Sequence, residues 1–153
     1  MARSPERPLA VLVVEDEALL AMDIEAMIAD AGHRVVAESA SLHDVVALDG
    51  SLQLDLAFVD LNLAKGTSGL DVCALILSRW PGTMIVFLTA NPLKIPADFA
   101  GAHGLIAKPF SRTGLLSAMR YIAEGVTDPP PLSAQPSSFV ASPALSVTWA
   151  SQS

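Results

Sequence analysis

"LAFVDLNLAKG" (residues 56–66) carries two signals at once. Its apolar run has strand length and no alternation of apolar with polar residues, and it ends on an acid, Asp60, with Asn62 two places on and Gly66 beyond. A strand with one solvated face alternates, whereas a strand covered on both faces reads as a continuous apolar run. The stretch is therefore read as an interior strand of a parallel sheet with a carboxylate at its C-terminal end. Asp60 is either a local turn former or a reactive group delivered to the sheet's edge.

Working outward, similar runs recur at 9–14, 35–37, 54–59, 84–88 and 105–107, with helix-period segments between them. Leu20, Ile24, Met27, Ile28 and Ala31 fall on one helical face, and Gly32 stands where a chain leaving a helix needs a left-handed residue. Ser41 is a cap for a second helix, with Asp44 near its positive end. Leu70, Cys73, Ala74 and Leu77 mark a third, closed by Trp80, Pro81 and Gly82. A last helix starts at the cap Ser111, presents Leu115, Leu116, Met119, Ile122 and Ala123, and stops near Gly125. The alternation predicts an α/β fold, a doubly wound five-stranded parallel sheet. One crossover breaks the pattern: between Thr89 and Lys108, Pro92 and Pro96 remove backbone donors, so the fourth helix is expected to be short or irregular.

Residues 8–125 form the expected domain, preceded by a flexible N-terminus at 1–7. After Gly125 the chain turns to "VTDPPPLSAQPSSFVASPALSVTWASQS", rich in Pro and Ser without helical period, and 126–153 is expected to be a flexible tail. The β-favouring residues at 139–149 leave a second reading, pairing with a sheet edge.

The 153 residues suit one domain with its own core, and 52% apolar with 16% charged residues suits a globular α/β protein. Nine Lys plus Arg against sixteen Asp plus Glu give a formal charge of -7, which on balance repels a phosphate backbone or an anionic membrane. No nucleic acid and no membrane are expected as partners. Cys73 is the only cysteine, which excludes an intramolecular disulfide and Cys-based zinc motifs; it is expected in the core. No signal-peptide pattern opens the chain and no apolar segment approaches the ~20 residues of a membrane span, so a cytoplasmic protein is expected.

In an open parallel sheet, ligands gather beyond the C-terminal ends of the strands. The first strand runs into "VVEDE", the third ends at Asp60, the fourth at Thr89, and Lys108 and Pro109 follow the fifth. Clustered Glu15, Asp16 and Asp60 would raise one another's pKa values unless a cation sits among them. A donor set of carboxylate oxygens, without His or Cys, favours Mg2+ over zinc. Mg2+ joins readily to phosphate oxygens, Lys108 can hold a phosphoryl oxygen and the Thr89 hydroxyl can bond another. Asp60 is placed to act as a nucleophile toward phosphorus, with Glu15 and Asp16 as metal carboxylates and the Asn62 backbone carbonyl as a further ligand. The simpler readings are acids at a helix start, a surface turn at Lys108, and Thr89 as a cap. His33, His43 and His103 show no ligand spacing and are expected to be solvated, and Phe110 to pack under the last helix.

Across roughly 8–125 the sequence resembles the receiver domain of two-component response regulators, through "VVEDE", "AFVDLN", "FLTAN" and "AKPF" in that order. The resemblance implies a flavodoxin-like receiver fold in which Asp60 accepts a phosphoryl group from a sensor histidine kinase or a phosphotransfer protein. It also implies Mg2+ on Glu15 and Asp16, phosphoryl contacts from Thr89 and Lys108, and a cis Lys108–Pro109 bond. The domain would switch protein–protein interactions with an unknown downstream protein, with only self-catalysed transfer and loss of the phosphoryl group. Leu105 stands where receivers often carry an aromatic switch residue, and the loop after Asp60 has Ala64 where many have proline. "FLTAN" and "KPF" are similar to stand-alone receivers with a Phe-Ala-Thr-Gly motif, linked to HWE-type kinases and stress signalling, with Leu88 and Ala90 departing from that motif. The alternatives are a phosphate sink or docking module without a phospho-dependent output, and a haloacid-dehalogenase-like phosphatase. The last would need a second acid where Asn62 stands.

Overall fold

The computed structural model describes residues 7–63 and 66–150, with nothing drawn from the side chain of Ala150. The strands are β1 (Ala10–Val14), β2 (Arg34–Ser39), β3 (Leu56–Asp60), β4 (Met84–Thr89), β5 (Gly104–Ala107) and β6 (Val140–Ala141). The helices are α1 (Ala18–Asp30), α2 (Leu42–Val46), α3 (Gly69–Arg79), α4 (Arg112–Thr127) and α5 (Pro143–Ala150). They make one sheet in the order β2-β1-β3-β4-β5-β6, parallel except for β6.

Every residue of β1, β3 and β4 is buried, which is why those runs lack alternation. Side chains still alternate between two cores. Val11, Val13, Phe58, Val86, Leu88 and Ile106 face α1 and α4; Leu12, Val14, Ala57, Val59, Phe87 and Leu105 face α2 and α3. Phe58 and Phe87, both wholly buried on opposite faces, each contribute about 1.5–3 kcal/mol by leaving water. Cys73 lies in the second core, as expected, and burial pushes its thiol up to about 11.

Helix starts follow the expected chemistry. Ser41 accepts from the Asp44 N–H while Asp44 accepts from that of Ala40, and Ser111 accepts from the Gly114 N–H. Gly32 takes φ +89 after α1, as its position predicts. The β4–β5 crossover holds only two short 3-10 turns, Pro92–Lys94 and Phe99–Gly101, in agreement with the proline argument. Phe99 and Ala100 there take φ of 57 and 51, a left-handed conformation costly for side chains with a Cβ.

Three expectations need correction. The five parallel strands stand as expected and gain an antiparallel edge strand, because the described residues 139–149 do not form the expected flexible tail. β6 pairs antiparallel with β5, Gly104 with Ala141 and Leu105 with Val140, and Phe139, Leu145 and Trp149 are buried in the first core. Pro and Ser cannot build a core of their own, but three apolar anchors suffice when a finished domain supplies the rest. His33 is not solvated: it is buried, and its Nδ1 accepts from the Leu9 N–H. His103 is half-buried and accepts from the Ile85 N–H. Of the expected flexible N-terminus, 1–6 lie outside the described residues, while the Arg7 guanidinium bonds both Asp55 carboxylate oxygens. Among the described residues no helix is long and apolar enough to cross a membrane.

Candidate functional site

Parallel strands deliver all their C-terminal ends to one edge, and the predicted residues meet there. One carboxylate oxygen each from Glu15, Asp16 and Asp60 lies within 4.8 Å of the others. The Glu15 side chain is wholly buried, and Asp60 is buried at the end of β3. Asp60 Oδ1 accepts from the Asn62 N–H at 3.0 Å, so the residue also serves as the local turn former that the sequence offered as an alternative. Its other oxygen, Oδ2, lies 3.3 Å from Lys108 Nζ. Lys108 reaches across the sheet to donate to Glu15 Oε1 at 2.9 Å, while Glu15 Oε2 accepts from the Glu17 N–H.

The electrostatics follow from that crowding. Burial, then the neighbouring Asp60, push the Glu15 carboxyl up to about 7, against the pull of Lys108. Burial pulls the Lys108 amine down, but Glu15 and Asp60 outweigh it and hold it above its ordinary value. Among the described residues a single ammonium therefore stands against three carboxylates, and the cluster retains a proton at a pH where an ordinary glutamate has lost it. This donor set fits a hard divalent cation such as Mg2+: it is all oxygen, strongly anionic and undercompensated.

Lys108 is placed by its backbone as well, since its N–H donates to the Thr89 carbonyl at 2.8 Å and the Lys108–Pro109 peptide bond is cis, as the resemblance implies. Thr89 is fully buried at the end of β4, and its hydroxyl accepts from the Asn91 N–H at 2.8 Å, turned to its own loop. Thr89 thus lies at the site edge with its hydroxyl tied to the following turn, and it does not cap that turn, because Asn91 stands at the N-cap of Pro92–Lys94. Leu105 is buried in the core on the α3 side. Ala64 lies outside the described residues.

Two features escaped the sequence reading. Gly69, the first residue of α3, donates its N–H to the Leu61 carbonyl; a Cβ there would stand 2.4 Å from the Asp60 carbonyl oxygen and 2.7 Å from Leu61 Cα. Only glycine lets α3 start so close to the strand end that carries Asp60. A glycine directly after the cap Ser68 was the available signal. Beside Lys108, Leu20, Ala90, Pro109 and Phe110 line an open pocket of about 340 Å³. Phe110 packs against the first core, as expected, and also faces this pocket.

Comparison with known proteins places these residues in a wider set. A family model described as the response regulator receiver domain matches residues 11–120. The phyllosphere-induced regulator PhyR of Methylorubrum extorquens is 34% identical over 102 residues, 65% of this chain and 38% of that protein. The transcriptional regulatory protein PdtaR of Mycobacterium tuberculosis is 33% identical over 115 residues, 73% of this chain and 55% of that protein. The chain thus spans about half or less of the length of these relatives. The crystal structure of the response regulator PhyR from Brucella abortus superposes with a TM-score of 0.64 at 27% identity, covering 80% of this chain and 48% of that one.

Proposed function

This chain belongs to the response regulator receiver domain family, and from that premise we propose that Asp60 is its phosphoacceptor in a Mg2+-dependent phosphorelay. The observation that carries the reading is the convergence of Asp60, Glu15, Asp16 and Lys108 on one sheet edge, with the lysine amine within 3.3 Å of the aspartate. Glu15, Asp16, Asp60 and the Asn62 backbone carbonyl would hold the ion, which supplies charge neutralisation for the phosphoryl oxygens when bound.

The chain's own residues do the rest. An Asp60 carboxylate oxygen bonds to phosphorus as the N–P bond of a phosphohistidine breaks, the electron pair staying on the imidazole nitrogen. The Asn62 N–H fixes the carboxylate's orientation, and Lys108 transfers its ammonium from the Asp60 and Glu15 oxygens to the new phosphoryl oxygens. The apolar pocket beside Lys108 supports docking of a sensor histidine kinase, with the HWE type favoured by the motif similarity, or of a phosphotransfer protein. The reaction demands that the phosphohistidine reach this edge of the sheet.

The modified aspartate gains about one to two negative charges. The Thr89 hydroxyl accepts from the Asn91 N–H and keeps its own proton to donate to them, so its response is passed directly to the start of the β4–β5 crossover. That crossover is the element whose population shifts, so the output is a change in protein–protein contacts with a downstream partner in the cytoplasm. Similarity to the Phe-Ala-Thr-Gly subgroup and to the PhyR stress response regulator supports a role in stress signalling. The test is incubation with a small-molecule phosphodonor and Mg2+: wild type takes label on one residue and Asp60→Asn takes none. Undiminished labelling of the variant would refute the assignment.

A further inference from the structure

Residues 138–149 grip the segment that carries Lys108 on both sides of the lysine. Upstream, β6 pairs with Gly104 and Leu105, and the Ser142 N–H donates to the His103 carbonyl at 2.9 Å. Downstream, the Ser138 hydroxyl donates to the Gly114 carbonyl at 2.8 Å in the first turn of α4. Lys108, Pro109 and Phe110 lie between the two ties.

The seat is shaped for this occupant. A Cβ at Gly104 would lie 2.5 Å from the Phe139 ring, and one at Gly125 would lie 2.2 Å from the Trp149 ring. Tyr121 of α4 stands between the two anchors, its ring 5.7 Å from that of Phe139 and 5.3 Å from that of Trp149. Two glycines matched to two aromatic rings make this a specific dock. Its backbone hold is nevertheless slight, two residue pairs against four between β4 and β5, which puts it among the elements that open first.

With the ties in place Lys108 stands on Glu15 and Asp60. Those oxygens are the ones a metal ion and a phosphoryl group would claim, so Lys108 has to shift when they are engaged. The Lys108 N–H is bonded to the carbonyl of Thr89, the residue read as the second phosphoryl contact. Lys108, which moves on modification, therefore lies between the two ties of the strap.

We propose that residues 138–149 are a strap coupled to Asp60: docked, it favours the unmodified receiver, and modification loosens it and uncovers the outer edge of β5. The inference rests on the reading of Asp60 as phosphoacceptor. Linkage is reciprocal, so loosening the strap must ease modification by the factor by which modification loosens the strap.

The experiment is hydrogen exchange read by mass spectrometry on the full chain, with Mg2+ alone and with Mg2+ plus beryllofluoride, a phosphoryl mimic that binds aspartate. Amides of 139–149 should exchange about fivefold faster with beryllofluoride in wild type and not in Asp60→Asn. Unchanged or slowed exchange there, while peptides containing Asp60 and Thr89 respond, overturns the strap and leaves the phosphoacceptor reading standing. Silence at Asp60 and Thr89 as well defeats that reading, and the strap with it. In the reverse arm, Trp149→Ala should bind beryllofluoride about fivefold more tightly. Equal or weaker binding by a variant whose β1 and β3 amides stay as protected as in wild type overturns the strap.

Discussion

Proton and metal compete for Glu15, and the competition can be put in numbers. Burial and Asp60 push this carboxyl up to about 7 in the metal-free protein. A divalent ion takes the ionised form, whose share falls from about nine-tenths at pH 8 to about one-tenth at pH 6 for such a group. Apparent Mg2+ affinity should therefore drop about tenfold over that interval, or about 1.4 kcal/mol, with half a proton released per ion near pH 7. Isothermal titration calorimetry at three pH values, in buffers of different ionisation enthalpy, reads both quantities. Glu15→Gln should bind more weakly and lose this dependence on pH. The sign for stability without metal is the reverse: the folded state holds this proton more tightly than the unfolded chain. The contribution is present below the ordinary value of 4.5 and lost as pH rises through about 7. An affinity flat from pH 6 to pH 8, or an unaltered slope in Glu15→Gln, would refute the reasoning.

Two further expectations bear on neighbouring residues. Gly69→Ala forces a methyl group against the Asp60 and Leu61 backbone, so it should cost about 1–3 kcal/mol in chemical denaturation and slow labelling of Asp60; unaltered stability and labelling would show that the close approach is unimportant. His33 and His103 are held below their ordinary value of 6.5 by burial, and each accepts a backbone N–H through Nδ1. The unfolded chain binds protons there first, so their contribution to stability, opposite in sign to that of Glu15, should fall as pH drops below about 6.5, and Glu15→Gln is the background in which to read it. Replacing both with Gln should flatten that part of a melting-temperature profile, and a profile equally steep without them would count against the argument.

By itself the sequence determined what local pattern can encode. Continuous apolar runs located the interior strands, helical spacing and Ser caps located the helices, and Pro92 with Pro96 foretold the broken crossover. Parallel topology then put Glu15, Asp16, Asp60, Thr89 and Lys108 at one edge, because strands that run the same way end on the same side. Tertiary structure decided everything that depends on a partner distant in the chain. Lys108 meets Glu15 across 93 positions, His33 is buried because Leu9 needs an acceptor, and Gly69 matters because α3 starts against β3. The fate of 126–149 belongs to the same class. Its composition promises little order, yet Phe139 and Trp149 find seats over Gly104 and Gly125, and no pattern within the segment records that those hollows exist.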